Sequence, residues 1–214
     1  MPRRIFLNPL DVQFTQGIAF PNFADGRSPE LSVKDIQAEL WPVAANAEAA
    51  EQILNGTFLT KHNPRATAPD SLVKLSPPWS PCRVVWMRCK TRDWNGEPVS
   101  DEGTMLYSAP GYFCFDNRRL FALKVAALKL FPRVCAVEFQ VLDAAPREEQ
   151  QKVRTRSAGL SLEFGQFFGQ GRANAVAVET LWCWRTVWAE WFNELSSSPE
   201  LAKKAFAQAA WPSP

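Results

Sequence analysis

Residues 112–142 constrain the fold more than any other part of the chain. Residues 112–115 are aromatic or apolar, as is typical of a short strand, and a polar corner at 116–119 follows them. Apolar residues then recur at helical spacing over 118–130, and residues 134–142 alternate as a second strand does. The order strand, helix, strand predicts an α/β fold, with a right-handed connection if the two strands are parallel.

The corner has the composition of an anion-binding site. Asp116 and Asn117 are residues that cap helices, and Arg118 and Arg119 follow them directly. The first turn of a helix offers unpaired backbone N–H groups and the positive end of the helix dipole, and arginine forks match phosphate oxygens. We therefore predict phosphate binding by Asn117, Arg118, Arg119 and the start of the helix, with Mg²⁺ as a candidate beside Asp116. The alternative is a structural corner, in which Asp116 caps the helix and pairs with an arginine in a buried polar network.

The composition is that of an ordinary globular protein. Of 214 residues, 46% are hydrophobic, which is enough to build one good core. The formal net charge of +2 is too small to favour nucleic acid as a partner. No uncharged apolar run is long enough to cross a bilayer, so we expect no membrane association.

The cysteines indicate the compartment. The five cysteines are scattered, no two form a C-x-x-C pair, and His62 is the single histidine. Neither a zinc site nor a disulfide framework is therefore predicted, and no metal ligands are assigned. No apolar leader follows the first charged residues. We expect a reduced, intracellular protein, cytoplasmic or nuclear.

Local patterns predict the elements that flank the corner. β-Branched and aromatic residues indicate strands, whereas prolines and glycines indicate loops. On this basis we expect strands at 5–7 and 83–87, helices at 33–40 and 44–54, a proline-rich loop at 62–81, and a hairpin of 105–107 with 112–115.

A stripe of tryptophans characterises the end of the chain. Trp184, Trp188 and Trp191 continue from Leu181 at helical spacing, which predicts a long helix from about residue 173 to 195. Such a helix either covers an open face of the domain or binds a protein partner, including a second copy of the chain. The three tryptophans are the candidate partner-binding residues.

The order of elements from residue 81 to 142 resembles the ParB/sulfiredoxin-like superfamily, in which a "P-I-x-V" strand, a second strand, an arginine-bearing corner, a helix and an exit strand follow one another. The chain also looks like a group of uncharacterised proteins that pair a D-G-R segment with a D-N-R-R-L segment. The residues that match are Phe14, Ile18, Phe23, Asp25, Gly26 and Arg27, and then residues 115–120.

The resemblance implies an α/β domain over residues 1–143, with a small mixed sheet and helices. A linker at 144–172 and a helical C-terminal cap at 173–214 would follow. In relatives the corner binds nucleotide phosphates, as ATP in sulfiredoxin and CTP in ParB. Arg118 and Arg119 match the arginines of that corner, and Asp25 and Arg27 would flank the ligand.

The resemblance also limits the chemistry at the corner. Asn117 stands where sulfiredoxin has a catalytic cysteine and ParB a glutamate, and an amide supplies neither a thiolate nor an ionised base. Sulfiredoxin chemistry is therefore excluded. Asp116 replaces a glycine, and its carboxylate would repel phosphate unless Mg²⁺ intervenes or an arginine neutralises it.

Three functions follow, and whether any is enzymatic stays open. The first is a phosphate- or nucleotide-binding protein, with ATP or another nucleotide and Mg²⁺ as candidate cofactors. The second is a non-enzymatic interaction module that uses the tryptophan helix. The third is a ParB-type nuclease, against which the near-neutral charge and the lack of acidic clusters both count.

Overall fold

A seven-stranded mixed sheet with three α-helices forms the body of the protein in the computed structural model, which describes residues 2–19, 23–54, 71–90, 97–130, 133–153, 159, 163–168 and 177–183. The strands are β1 Arg3–Leu7, β2 Gln13–Phe14, β3 Ile18–Ala19, β4 Gln37–Pro42, β5 Ser71–Ser76, β6 Cys82–Met87, β7 Ser100–Asp101, β8 Thr104–Met105, β9 Gly111–Cys114, β10 Cys135–Val141, β11 Glu163–Phe168 and β12 Ala177–Cys183. The helices are α1 Pro29–Val33, α2 Ala47–Leu54 and α3 Asn117–Leu130.

Strand β10 organises the large sheet, whose order is β2-β9-β6-β10-β5-β4. It pairs antiparallel with β1 and parallel with both β6 and β5. Strand β9 lies on the other side of β6 and is antiparallel to it. Helix α3 therefore connects β9 to β10 across the intervening strand β6, and β9 and β10 run in opposite directions.

The alternation of side chains along β10 separates two apolar clusters. Cys135, Val137 and Phe139 belong to the larger cluster, which includes most of α3. Ala136 belongs to a smaller cluster with α2. Because side chains alternate between the faces of a strand, the two helices cover opposite faces of the sheet. Every residue from 120 to 128 of α3 is buried, so that this helix lies inside the domain.

The strand–helix–strand prediction is confirmed by β9, α3 and β10, and the fold is a mixed α/β fold. The predicted strands at 5–7 and 83–87 correspond to β1 and β6, and most of the helix at 44–54 corresponds to α2. None of the helices in the described ranges combines the length and the hydrophobicity that crossing a bilayer requires.

Three local predictions are wrong. The helix placed at 33–40 ends at Val33 and begins at Pro29 instead, with Ser28 as its N-cap, and β4 follows. The loop at 62–81 contains β5, whose Leu72, Val73 and Leu75 are buried. Strand β9 pairs with β6, and β8 with β7, instead of forming the predicted hairpin.

The described residues near the C-terminus are strands. Strands β11 and β12 pair antiparallel, and β11 also pairs with β3 to complete a three-stranded sheet. Strand β11 lies within the predicted linker, and β12 lies within the predicted helix. The helix prediction is therefore wrong over Ala177–Cys183. These seven residues show no regular alternation of polarity, and it is their backbone pairing with β11 that overrides the helical spacing. Trp184, Trp188 and Trp191 lie outside the described residues.

Candidate anion site at the start of helix α3

The corner begins where β9 leaves the sheet. The Phe115 N–H donates to the carbonyl of Arg83 at 3.0 Å, which continues the pairing with β6 by one residue. The Leu120 N–H donates to the carbonyl of Asp116 at 2.9 Å and closes the first turn of α3. Asp116 is therefore the residue at which strand geometry gives way to helix geometry.

Asp116 is bound by an arginine from the neighbouring strand. The backbone N–H and Nε of Arg83 donate to Oδ2 of Asp116 at 2.8 and 3.2 Å, and Nη2 donates to Oδ1 at 3.0 Å. The same guanidinium donates through Nη1 to Oε1 of Glu149 at 2.7 Å. Hydrogen bonding to Asp116, and secondly to Glu149, raises the pKa of Arg83, which keeps this side chain charged.

This partner differs from those suggested by the sequence. The sequence predicts pairing of Asp116 with an arginine as one of two roles, but it identifies Arg83 only as a residue of the strand at 83–87. It is the register of β6 against β9, with Val84 opposite Cys114, that brings Arg83 beside Asp116. Glu149, which lies within the predicted linker at 144–172, is buried against Arg83.

Asn117 is a buried clamp. Its Oδ1 accepts from the backbone N–H of Thr15 at 2.9 Å, and its Nδ2 donates to Thr15 Oγ1 at 3.0 Å and to Gln16 Oε1 at 3.2 Å. These bonds tie the start of α3 to the turn after β2. The amide is thus directed into the protein, where it positions the first helical turn, rather than towards a ligand outside.

The two arginines of the corner are both half-buried. The Arg118 guanidinium lies over the ring of Phe23, 5.3 Å from its centroid, at a distance typical of a cation–π contact. For the Arg119 side chain, no hydrogen bond or ion pair is present within the described part of the chain. Arg119 is therefore the corner side chain most available to a ligand.

The D-G-R turn, residues 25–27, lies next to the corner because Phe23 contacts both: its ring lies under Arg118, and its backbone is bonded to Arg27. The Phe23 N–H donates to the carbonyl of Arg27 at 2.8 Å, and Gly26 adopts φ +81°. Arg27 is an exposed residue that pairs with Asp25 at 2.8 Å and with Asp35 at 3.0 Å. The hydrogen bond from Arg27 lowers the pKa of Asp25. With two carboxylates as partners, Arg27 has little charge to offer a shared anion.

Cys82, Cys114 and Asp116 place potential metal-ligand atoms within 4.8 Å of one another. The cluster does not suit Mg²⁺, which binds oxygen ligands, because two of its three members are sulfurs. Both Asp116 oxygens already accept hydrogen bonds from Arg83. Burial raises the pKa of the Cys114 thiol well above its ordinary value, which also disfavours the thiolate that a softer metal would need.

Lys124 is a buried charged residue that the sequence pattern did not single out. Its Nζ donates to the carbonyl of Leu10 at 3.1 Å and lies 5.3 Å from the centroid of the Phe14 ring. Burial lowers its pKa to about 7, and the nearby Asp11 opposes that change. Lysines are rarely buried, and the sequence signal that could have indicated it is its position in a helix that is apolar on nearly every side.

Compared with protein-family models, with curated proteins and with solved structures, the chain matches none. The ParB/sulfiredoxin-like resemblance therefore rests on the sequence segments that suggested it.

Proposed function

We propose that the protein binds a phosphate-bearing ligand, with a nucleotide as the leading class, at the first turn of α3. Arg118 and Arg119 would supply the positive charge, and the backbone N–H groups of that turn would supply directed donors. The observation that carries the proposal is the engagement of Asp116 by Arg83, with Nη2 and Oδ1 3.0 Å apart.

This ion pair answers the main objection to an anion at the corner. An unpaired carboxylate at the start of the helix would repel a phosphate and cancel part of the charge of Arg118 and Arg119. Arg83 pairs with both Asp116 and Glu149, so three arginines (Arg83, Arg118 and Arg119) stand against two carboxylates, and the charge near the first turn stays positive. Asn117 meanwhile fixes the turn against Thr15, so that its donors are held in place before a ligand arrives.

The same contacts bear on the cofactor. With both Asp116 oxygens bonded to Arg83, this carboxylate would have to break an ion pair to hold Mg²⁺. We therefore expect the ligand to bind without a Mg²⁺ ion held by Asp116. The resemblance to ParB and sulfiredoxin supports ATP or CTP as ligands, and membership of that superfamily is part of the proposal.

Isothermal titration calorimetry tests this proposal with ATP, ADP, CTP, GTP and pyrophosphate, each with and without Mg²⁺. Arg119→Ala removes one charge-assisted bond, so we expect the affinity to fall by about 10- to 100-fold. Arg133→Ala is the matched control, because Arg133 is exposed beyond the other end of α3, roughly 20 Å away. Equal losses in both variants would indicate general charge attraction, and no binding to wild type would refute the proposal.

Partner binding through Trp184, Trp188 and Trp191 is a second proposal, and it rests on their spacing in the sequence. It predicts that replacing the three by alanine abolishes binding to a protein partner, or self-association, while leaving nucleotide titrations unchanged. The ParB-type nuclease is the least supported of the three functions, because the corner offers a carboxylate, Asp116, that Arg83 already occupies.

A further inference from the structure

Strand β4 forms one edge of the large sheet. It pairs with β5 from Gln37, opposite Ser76, to Pro42, opposite Ser71, and with no other strand in the described ranges. Five of its six residues are exposed, and Leu40 has 65% of its surface in contact with solvent. A six-residue edge strand presents a row of backbone donors and acceptors that only another extended chain can satisfy in register.

The usual protections of an edge are sparse along β4. Its single charged residue is Glu39, and Lys74 of β5 neutralises that carboxylate at 3.1 Å. The one proline, Pro42, is the last residue of the strand, where it interrupts pairing least. Ala38 and Leu40 share one face, and Glu39 and Trp41 share the other, because side chains alternate along a strand.

We propose that β4 pairs antiparallel with β4 of a second copy of this chain, so that one continuous sheet runs through both. This goes beyond ligand binding at the corner and uses a different surface. Two copies related by a two-fold axis perpendicular to the sheet must match residues of the same face. The axis therefore lies midway between one residue and the same residue of the second copy, and each register is named by that residue.

Charge selects the register. An axis at Leu40 sets Leu40 against Leu40 of the second copy, Ala38 against Pro42, and Glu39 against Trp41. An axis at Glu39 would set two carboxylates directly opposite each other, which is destabilising. An axis at Trp41 would leave Gln37, Ala38 and Glu39 without partners in β4. The Leu40 register therefore pairs Leu40 with Leu40 and Ala38 with Pro42, and it sets each Glu39 against Trp41 and not against a second carboxylate.

Sedimentation velocity of the full chain over a range of concentrations tests the pairing. We expect a monomer–dimer equilibrium in wild type. Leu40→Lys places two ammonium groups opposite each other and should weaken the dimer about tenfold or more. Leu106→Lys is the matched control, because Leu106 is also exposed but lies outside β4, and it should dimerise as wild type does.

Amide hydrogen exchange of wild type gives a readout that does not depend on how the variants fold. Amides between Gln37 and Trp41 should gain protection as the protein concentration rises. The concentration at which half of this protection is gained should equal the midpoint of dimer formation in sedimentation. A monomer at every concentration would overturn the proposal and leave the edge to an extended segment of another protein. A dimer that survives Leu40→Lys, or that leaves the β4 amides unprotected, would equally overturn it.

Discussion

Replacing Lys124 by methionine should make the stability of the protein less dependent on pH. The pKa of Lys124 falls from its ordinary 10.5 to about 7 in the folded state, because burial disfavours the charged form. Between these values the unfolded chain binds a proton that the folded chain does not bind. The free energy of unfolding therefore rises with pH from about 7 to 10.5, and below pH 7 the lysine is charged in both states.

The magnitude follows from the two pKa values. Their difference of about 3.5 corresponds to roughly 5 kcal/mol over the whole window, at about 1.4 kcal/mol for each pH unit. Solvent entry around Lys124 would reduce this figure. Burial also raises the pKa of the Cys89 and Cys135 thiols to about 12, so that these groups lower stability above about pH 9. The informative range is therefore pH 7 to 8.5, where Lys124 contributes about 1.6 kcal/mol.

The assay is urea unfolding of wild type and Lys124→Met at several pH values in that range. Methionine also removes the hydrogen bond to Leu10, which costs about 1–3 kcal/mol, but this loss does not vary with pH. The difference in unfolding free energy between variant and wild type should thus shift by about 1.6 kcal/mol, in favour of wild type, from pH 7 to 8.5. Lys90→Met, at an exposed lysine, controls for the loss of one positive charge. A difference that stays constant would refute the argument, since Lys124 would then keep its proton in the folded state.

Three further substitutions, one of them with a control at Gly103, test the packing around the corner by urea unfolding. Gly159 has φ +83°, and the Cβ of Gly159→Ala would lie 2.7 to 2.9 Å from three atoms, so this substitution should cost about 3 kcal/mol or more of unfolding free energy. Gly103 has a similar φ of +78° but open space around it, so Gly103→Ala should cost only about 1–2 kcal/mol. Equal costs would contradict the close approach. Arg83→Met should cost about 2–3 kcal/mol, less than for a fully buried pair because the arginine is 34% exposed, and a neutral result would mean that its two carboxylate partners are solvated. Asn117→Leu should cost about 2–3 kcal/mol through unpaired groups on its clamp partners, and hydrogen exchange should quicken at the turn after β2; unchanged exchange there would argue against the clamp.

The parts of the fold that the sequence predicted are those with local signals. The capping residues before α3 and the helical spacing after them indicate a helix wherever the chain places it. Strand β5 was missed because prolines surround it, and its strand character depends on burial of Leu72 and Leu75 beside β10 and β4. Strand β12 was missed because its residues do not alternate in polarity, and apolar residues at helical spacing run from Leu181 into the tryptophans.

The location of the candidate site could be predicted from the sequence, but its hydrogen bonds and ion pairs could not. Arg118 and Arg119 follow a capping pair directly, which is a signal contained in the sequence. The ion pair between Arg83 and Asp116 depends on the register of β6 against β9. The hydrogen bonds between Asn117 and Thr15 depend on the parallel pairing of β2 with β9. Neither can be read from spacing along the chain, since the partners are 33 and 102 residues apart. The resemblance directed attention to Arg27, which the structure pairs with acids instead.

The central claim is that the first turn of α3 binds phosphate through Arg118, Arg119 and the backbone of that turn. The most direct test follows backbone amide resonances of ¹⁵N-labelled protein during titration with pyrophosphate and then with ATP. We predict saturable shifts that are largest at Arg118, Arg119 and Leu120, and that disappear in Arg119→Ala but not in Arg133→Ala. Shifts that are absent from this turn, or centred on another surface, would contradict the claim and leave the corner with a purely structural role.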